Sequence, residues 1–207
     1  MDKDNKTCLL LIIHGLLVFV KFYEVFLSVF LFMLEKELKV LSIDPVMVGT
    51  LLSAYGAEKT FDGHIYDIYF DTPDCSLQAH KYSVRLRFQD NACILAFKQK
   101  KKHKKIKCMI EKEFVVHDIF FVLCLLFWFG LVPYRYKEKK RLSFSYQNTC
   151  FDIDMYAYLP PILEIEASKT KTIFSWIEKL YLQNHVQLTA WTRWLIKYCH
   201  RVGLLNR

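Results

Sequence analysis

The sequence predicts an α+β protein built on a closed antiparallel β-barrel of about eight strands, with flanking helices and an apolar helix at the N-terminus. Three observations predict it. Charged residues recur with a period of two in a series of short segments, and each segment is apolar on its opposite face. Acids and bases are also segregated, almost every segment carrying one sign. Strict alternation over four to eight residues is the pattern of a half-buried strand. A merely solvated sheet face mixes neutral polar residues with both charges, because like charges side by side repel. Segregation by strand makes sense if the charged faces converge on one volume, and a barrel of about eight strands encloses room for one small ligand.

The chain opens with an apolar run, residues 8–34, interrupted by Lys21 and Glu24. A bilayer span needs about 20 residues, so the run is long enough to cross a membrane. The two mid-segment charges are costly there. A membrane anchor, a helix packed on the domain, and synthesis beginning at Met33 all stay open. No small-residue cleavage site follows, which argues against a signal peptide. The expected organisation is therefore an apolar segment 1–32 and one domain over 33–207.

The first strand is MLEKELKV, with Glu35, Glu37 and Lys39 on one face and Leu34, Lys36, Leu38 and Val40 on the other. In YSVRLRF, Arg85 and Arg87 share a face opposite Val84, Leu86 and Phe88. ILAFKQK pairs Lys98 with Lys100, and MIEKEFVV pairs Glu111 with Glu113. DIFFVLCLLFWFGL, 118–131, is too short to span a membrane comfortably and reads as a helix on the outside of the barrel. Its all-round apolarity leaves a partner surface open, a second copy of the chain or a membrane. KEKKRLSF then pairs Lys139 with Arg141, TCFDIDMY Asp152 with Asp154, and PILEIEAS Glu164 with Glu166. Aromatic and aliphatic residues at helical spacing over 172–183 and 189–202 predict two closing helices, with Trp176, Trp191 and Trp194 as core or cap residues.

Composition narrows the chemistry. The first 34 residues are charge-balanced, so the net +8 belongs to the rest and points to an anionic ligand. Seven cysteines, none in CxxC spacing, fit a reduced cytoplasmic chain rather than a disulfide framework or a zinc site. KQKKKHKKIK, 98–107, reads as a solvated hairpin turn or a site for polyanions. It carries no aromatic residue for base stacking, which disfavours nucleic acid. His64 and His103 read as structural or solvated. Converging Arg and Lys neutralise a polyphosphate, and carboxylates hold the divalent cations such a ligand brings.

Glu35-Lys36-Glu37-Leu38-Lys39 resembles the ExExK signature of the CYTH domain, the triphosphate tunnel metalloenzymes. The resemblance continues in order through DIYFDTP (67–73), SVRLRF, AFK with Lys98, the E-x-E of Glu111 and Glu113, EKKRLSF (138–144), DID and LEIEA. It covers about 33 to 200. It departs at Gln99 and at Leu159-Pro160-Pro161, where family members commonly have Gly. The resemblance implies that Glu35, Glu37, Glu164 and Glu166, with Asp152 or Asp154, hold Mg²⁺ or Mn²⁺. Lys39, Arg85, Arg87, Lys98, Lys139 and Arg141 would bind the triphosphate of tripolyphosphate, thiamine triphosphate or ATP. Glu35, Glu37 and Lys39 would be catalytic, and Glu111 and Glu113 would line the tunnel without an assigned role. It further implies a triphosphate hydrolase, with a class IV adenylate cyclase or a non-catalytic polyphosphate-binding module as alternatives.

Overall fold

The computed structural model describes residues 33–102 and 106–188. The apolar segment 1–32, His103 and the helix expected over 189–202, with Trp191 and Trp194, lie outside the described residues. Nine strands occur among the described residues: β1 Met33–Leu41, β2 Glu58–Asp71, β3 Tyr82–Gln89, β4 Ala92–Lys101, β5 Lys107–Val115, β6 Val132–Tyr146, β7 Thr149–Met155, β8 Ile162–Ala167 and the short β9 Gln187–Leu188. Four helices accompany them: α1 Pro45–Ala54, α2 Ser76–Ala79, α3 Ile119–Trp128 and α4 Thr170–Lys179.

The sheet runs β5-β4-β3-β2-β6-β7-β8-β1-β9, and a β5–β1 pairing closes the first eight strands into an antiparallel barrel. The expected alternation decides which face looks where. Odd-numbered charged residues of β1 and β3 turn into the barrel, and Leu38, Val40, Val84 and Leu86 turn out.

The hydrophobic core consequently lies outside the barrel. One cluster joins Leu38, Val40, Phe151, Ile153, Leu163 and Ile165 of the wall to Val48 and Leu52 of α1 and Ile173, Trp176 and Ile177 of α4. A second joins Phe70, Val84, Leu86 and Leu95 to Leu126 of α3. Trp176 is the hub of the first, meeting the rings of Phe151, Tyr146 and Tyr55 edge-on at 4.8, 5.4 and 5.6 Å. Such aromatic geometry adds to the free energy of area burial.

Helix ends follow sequence chemistry. Asp44 accepts from Val46 N (2.8 Å) and Met47 N (3.1 Å), with Pro45 at the first position of α1. Asp118 accepts from Phe121 N at 2.9 Å to start α3. Gly130, at φ +72°, ends α3 as its N–H bonds Phe127 O and the next N–H bonds Leu126 O. As the sequence suggested, α3 packs on the outer wall. Its far face stays open, with Phe120 77% and Trp128 81% exposed. Among the described residues no helix is long and apolar enough to cross a membrane.

Trp176→Ala should cost about 3–5 kcal/mol of stability, the range for deleting a large buried aromatic. The decrease is read from the urea midpoint at unchanged slope. A loss under about 1 kcal/mol would show that α4 does not anchor this wall.

Candidate functional site

The barrel interior is walled by charge, and strand register sets who meets whom. Lys39 stands opposite Glu164, Arg87 opposite Asp67, Lys98 opposite Glu111 and Arg141 opposite Asp154. Elsewhere the register sets acid against acid, Glu37 opposite Glu166 and Asp152 opposite Glu164. Arg141 holds Asp154 through Nε at 2.5 Å and Nη2 at 2.7 Å, and Lys139 Nζ adds a third contact at 2.6 Å. Arg141 also donates to Asp152, which accepts a further bond from Ser143 Oγ at 2.6 Å. Arg87 grips Asp67 with two nitrogens at 2.8 and 3.2 Å, while Arg85 donates to Glu113 at 3.0 Å. Lys98 Nζ lies 2.5 Å from Glu111 and 3.4 Å from Glu35. Lys107 donates to Glu37 at 2.7 Å, and Lys39 reaches Glu37 at 2.8 Å as well as Glu164.

Glu35, Glu37, Lys39, Arg85, Arg87, Lys98, Glu111, Glu113, Lys139, Arg141, Asp152, Asp154 and Glu164 are all joined by these contacts. Glu37, Lys39, Arg85, Lys139, Arg141 and Asp154 are buried. His64, which the sequence also singled out, is instead exposed to solvent, 3.7 Å from Glu138.

The sequence reading missed Asp67, Lys107 and Lys137. Lys107 falls in the lysine run read as a solvated turn, yet β5 begins at it and turns it inward, 7% exposed. Lys137 is two residues before Lys139 on β6, so period two alone would have found it. Asp67 has Ile65 and Tyr69 as its alternate neighbours on β2, so no adjacent same-face charge marks it.

Burial and neighbours tune these groups. Burial lowers Lys139 to about 8, with Arg141 adding to the effect against Asp154. Burial, Arg135 and Lys39 together lower Lys137 to about 7. Burial opposes ionisation of Asp67, but Arg87 and Arg85 outweigh it and hold the carboxyl well below its usual range. Burial also opposes Glu37, which Lys107 and Lys39 nevertheless keep ionised below its usual value.

At one place acids outnumber their partners. Burial, together with Glu111, raises the Glu35 carboxyl against the pull of Lys98. Burial and then the Glu35 carboxylate push Glu166 up to about 8. Glu111 Oε1 is buried without a hydrogen-bond partner among the described residues. Among those residues no group of three or more His, Cys, Asp or Glu is drawn to metal-ligand spacing. The donors are nonetheless hard carboxylate oxygens, one of them buried and unsatisfied, and in kind they suit Mg²⁺ or Mn²⁺.

The CYTH domain family matches residues 33–192. No curated protein matches the sequence. Among solved structures, a candidate adenylate cyclase from Vibrio parahaemolyticus superimposes with TM-score 0.66 at 14% identity, covering 79% of this chain and 98% of its own. PH1819 from Pyrococcus horikoshii OT3 gives 0.62 at 20% identity, covering 81% and 99%. A candidate adenylyl cyclase from Hippeastrum with a dominant triphosphatase activity gives 0.58 at 13% identity, covering 80% and 95%.

A carboxyl raised on folding retains a proton that the unfolded chain has lost, so it lowers stability as pH climbs from about 4.5 to about 8. In EDTA, Glu166→Gln should therefore melt above the wild type at pH 8.5, by at least a few degrees, and the gap should close at pH 5. Equal melting curves at both pH values would place Glu166 apart from Glu35.

Proposed function

The chain belongs to the CYTH domain family, and from that premise we propose that it hydrolyses the terminal phosphate of an inorganic or organic triphosphate with the help of a divalent cation. The observation that carries this reading is the interior itself. Lys39, Arg85, Arg87, Lys98, Lys139 and Arg141 converge on one enclosed volume, and carboxylates crowd one part of its wall. Buried cations at fixed positions neutralise phosphate charge without reorganising during the reaction, the largest contribution a protein makes to phosphoryl transfer.

We assign Glu35, Glu111 and Glu166, with Glu37 and Glu164 beside them, to Mg²⁺ or Mn²⁺. Asp152 adjoins that set through Arg141. Asp154, whose oxygens are taken by Lys139 and Arg141, anchors the phosphate-binding cations instead. The bound cation supplies neutralisation of phosphate oxygens and a lowered water pKa. The chain's own groups do the rest. Arg85 and Arg87 offer planar donors matched to phosphate oxygens. Lys39 joins Glu37 to Glu164 and so ties β1 to β8 at the substrate. Lys137 and Lys139, poised near neutrality, take up a proton as phosphate enters and its negative charge restores their ordinary basicity.

Purified full-length protein with Mg²⁺ or Mn²⁺, offered tripolyphosphate, thiamine triphosphate and ATP in parallel with products followed by phosphorus NMR, tests the reading. Orthophosphate is the expected product. Pyrophosphate with a cyclic nucleotide from ATP would make the chain a cyclase, and tight tripolyphosphate binding without any product a binding module.

Glu35→Gln together with Glu37→Gln should abolish metal-dependent turnover in a variant that still folds but melts below the wild type, since Glu37 compensates the buried Lys107 and Lys39; retained turnover would remove both from the metal set. Arg85→Ala should weaken tripolyphosphate binding roughly tenfold to a hundredfold, the loss of one charge-assisted pair. Unchanged affinity in a titration would mean that Arg85 serves Glu113 alone.

A further inference from the structure

The cation row of β6 runs past the residues assigned above. Gly63, Ile65, Asp67 and Tyr69 of β2 stand opposite Arg141, Lys139, Lys137 and Arg135. Arg135 therefore continues the same tunnel-facing row. Alternate residues of a strand are about 6.7 Å apart, so the row extends about 20 Å, further than three linked phosphates reach.

Arg135 differs from the other arginines of the interior. Arg85, Arg87 and Arg141 each meet a carboxylate. The Arg135 guanidinium instead lies over the Tyr69 ring, 4.1 Å from its centroid, with Tyr134 at 5.3 Å. Its Nε is buried without a hydrogen-bond partner among the described residues. Asp71, the acid nearest along β2, is committed elsewhere: its carboxylate accepts from the N–H groups of Thr72, Leu77 and Gln78 and caps α2.

The backbone is shaped for this arrangement. Tyr69 pairs with Arg135 but Phe70 pairs with Pro133, so Tyr134 is an extra residue on β6. A bulge of this kind re-aims a side chain, and here it brings Tyr134 beside Arg135. A stacked guanidinium is held in one orientation, and a buried donor left unsatisfied costs free energy until an acceptor arrives.

We propose that Arg135, stacked on Tyr69 beside Tyr134, binds a phosphate beyond the third. The interior then accepts linear polyphosphates longer than tripolyphosphate, or a nucleoside tetraphosphate. This rests on the triphosphate reading of the tunnel and adds a position to it.

The test is calorimetric binding to the full chain without divalent cation, so that nothing turns over. Tripolyphosphate, tetrapolyphosphate, ATP and adenosine tetraphosphate serve as probes. Wild type should bind tetrapolyphosphate about tenfold tighter than tripolyphosphate, the gain from one further charge-assisted contact. Arg135→Ala should bring that ratio close to one, and Arg135→Lys, which keeps the charge and loses the fork, should give an intermediate ratio. A matching gain from ATP to adenosine tetraphosphate supports the subsite and makes a nucleotide its source; a gain confined to the inorganic pair supports it and makes the source a polyphosphate chain. A wild-type ratio of one, or a ratio that survives in Arg135→Ala, overturns the subsite while leaving the triphosphate reading in place. Failure of tripolyphosphate to bind at all overturns both. If Arg135→Ala does not fold, an unchanged ratio in Arg135→Lys overturns the role of its stacked fork.

Discussion

The compensation of buried charge governs this structure. An ionised side chain taken out of water costs several kcal/mol unless an opposite charge and hydrogen bonds meet it there. The barrel meets that demand by register. Opposite charges fall at the same level on neighbouring strands, so Lys39 meets Glu164, Arg141 meets Asp154 and Arg87 meets Asp67 without any loop having to reach inward. Removing one partner would strand the other in a poorly solvated interior. The lattice consequently tolerates deletion far less well than exposed ion pairs do.

Because the interior is committed to charge, cohesion has to come from elsewhere. It comes from the outer faces of the same strands, where α1 and α4 cover one side and α3 another. Site and core are therefore separated by a single sheet. Rigidity of the site follows from this placement, since Trp176, packed against Phe151, fixes the wall that carries Asp152 and Asp154 on its inner side.

Much of this was legible in the sequence. Period-two charge with apolar backs showed the strands, the facing of Arg85 and Arg87, and the conclusion that acids and bases enclose one volume. The dense apolar run 118–131 showed the outer helix, which the structure places at Ile119–Trp128. Three kinds of information were not local. Pairing across strands, which makes Asp154 the anchor of Lys139 and Arg141, depends on a register that no short segment encodes. Single charges such as Asp67 form no pair along their own strand. Lys107 was hidden by neighbours of the same type, since a run of lysines looks solvated until the strand boundary is known.

The two-faced strands have a consequence for how the chain finds its fold. A slip of one residue between β1 and β8 would exchange the faces, setting Glu35, Glu37 and Lys39 against the helices and Leu38 and Val40 in the tunnel. Such a misalignment loses the greasy contacts and leaves charges without counterparts in one move. Near misses in strand alignment are thus far higher in free energy than the native arrangement rather than close competitors of it. The charges that line the tunnel double as a frame check on assembly.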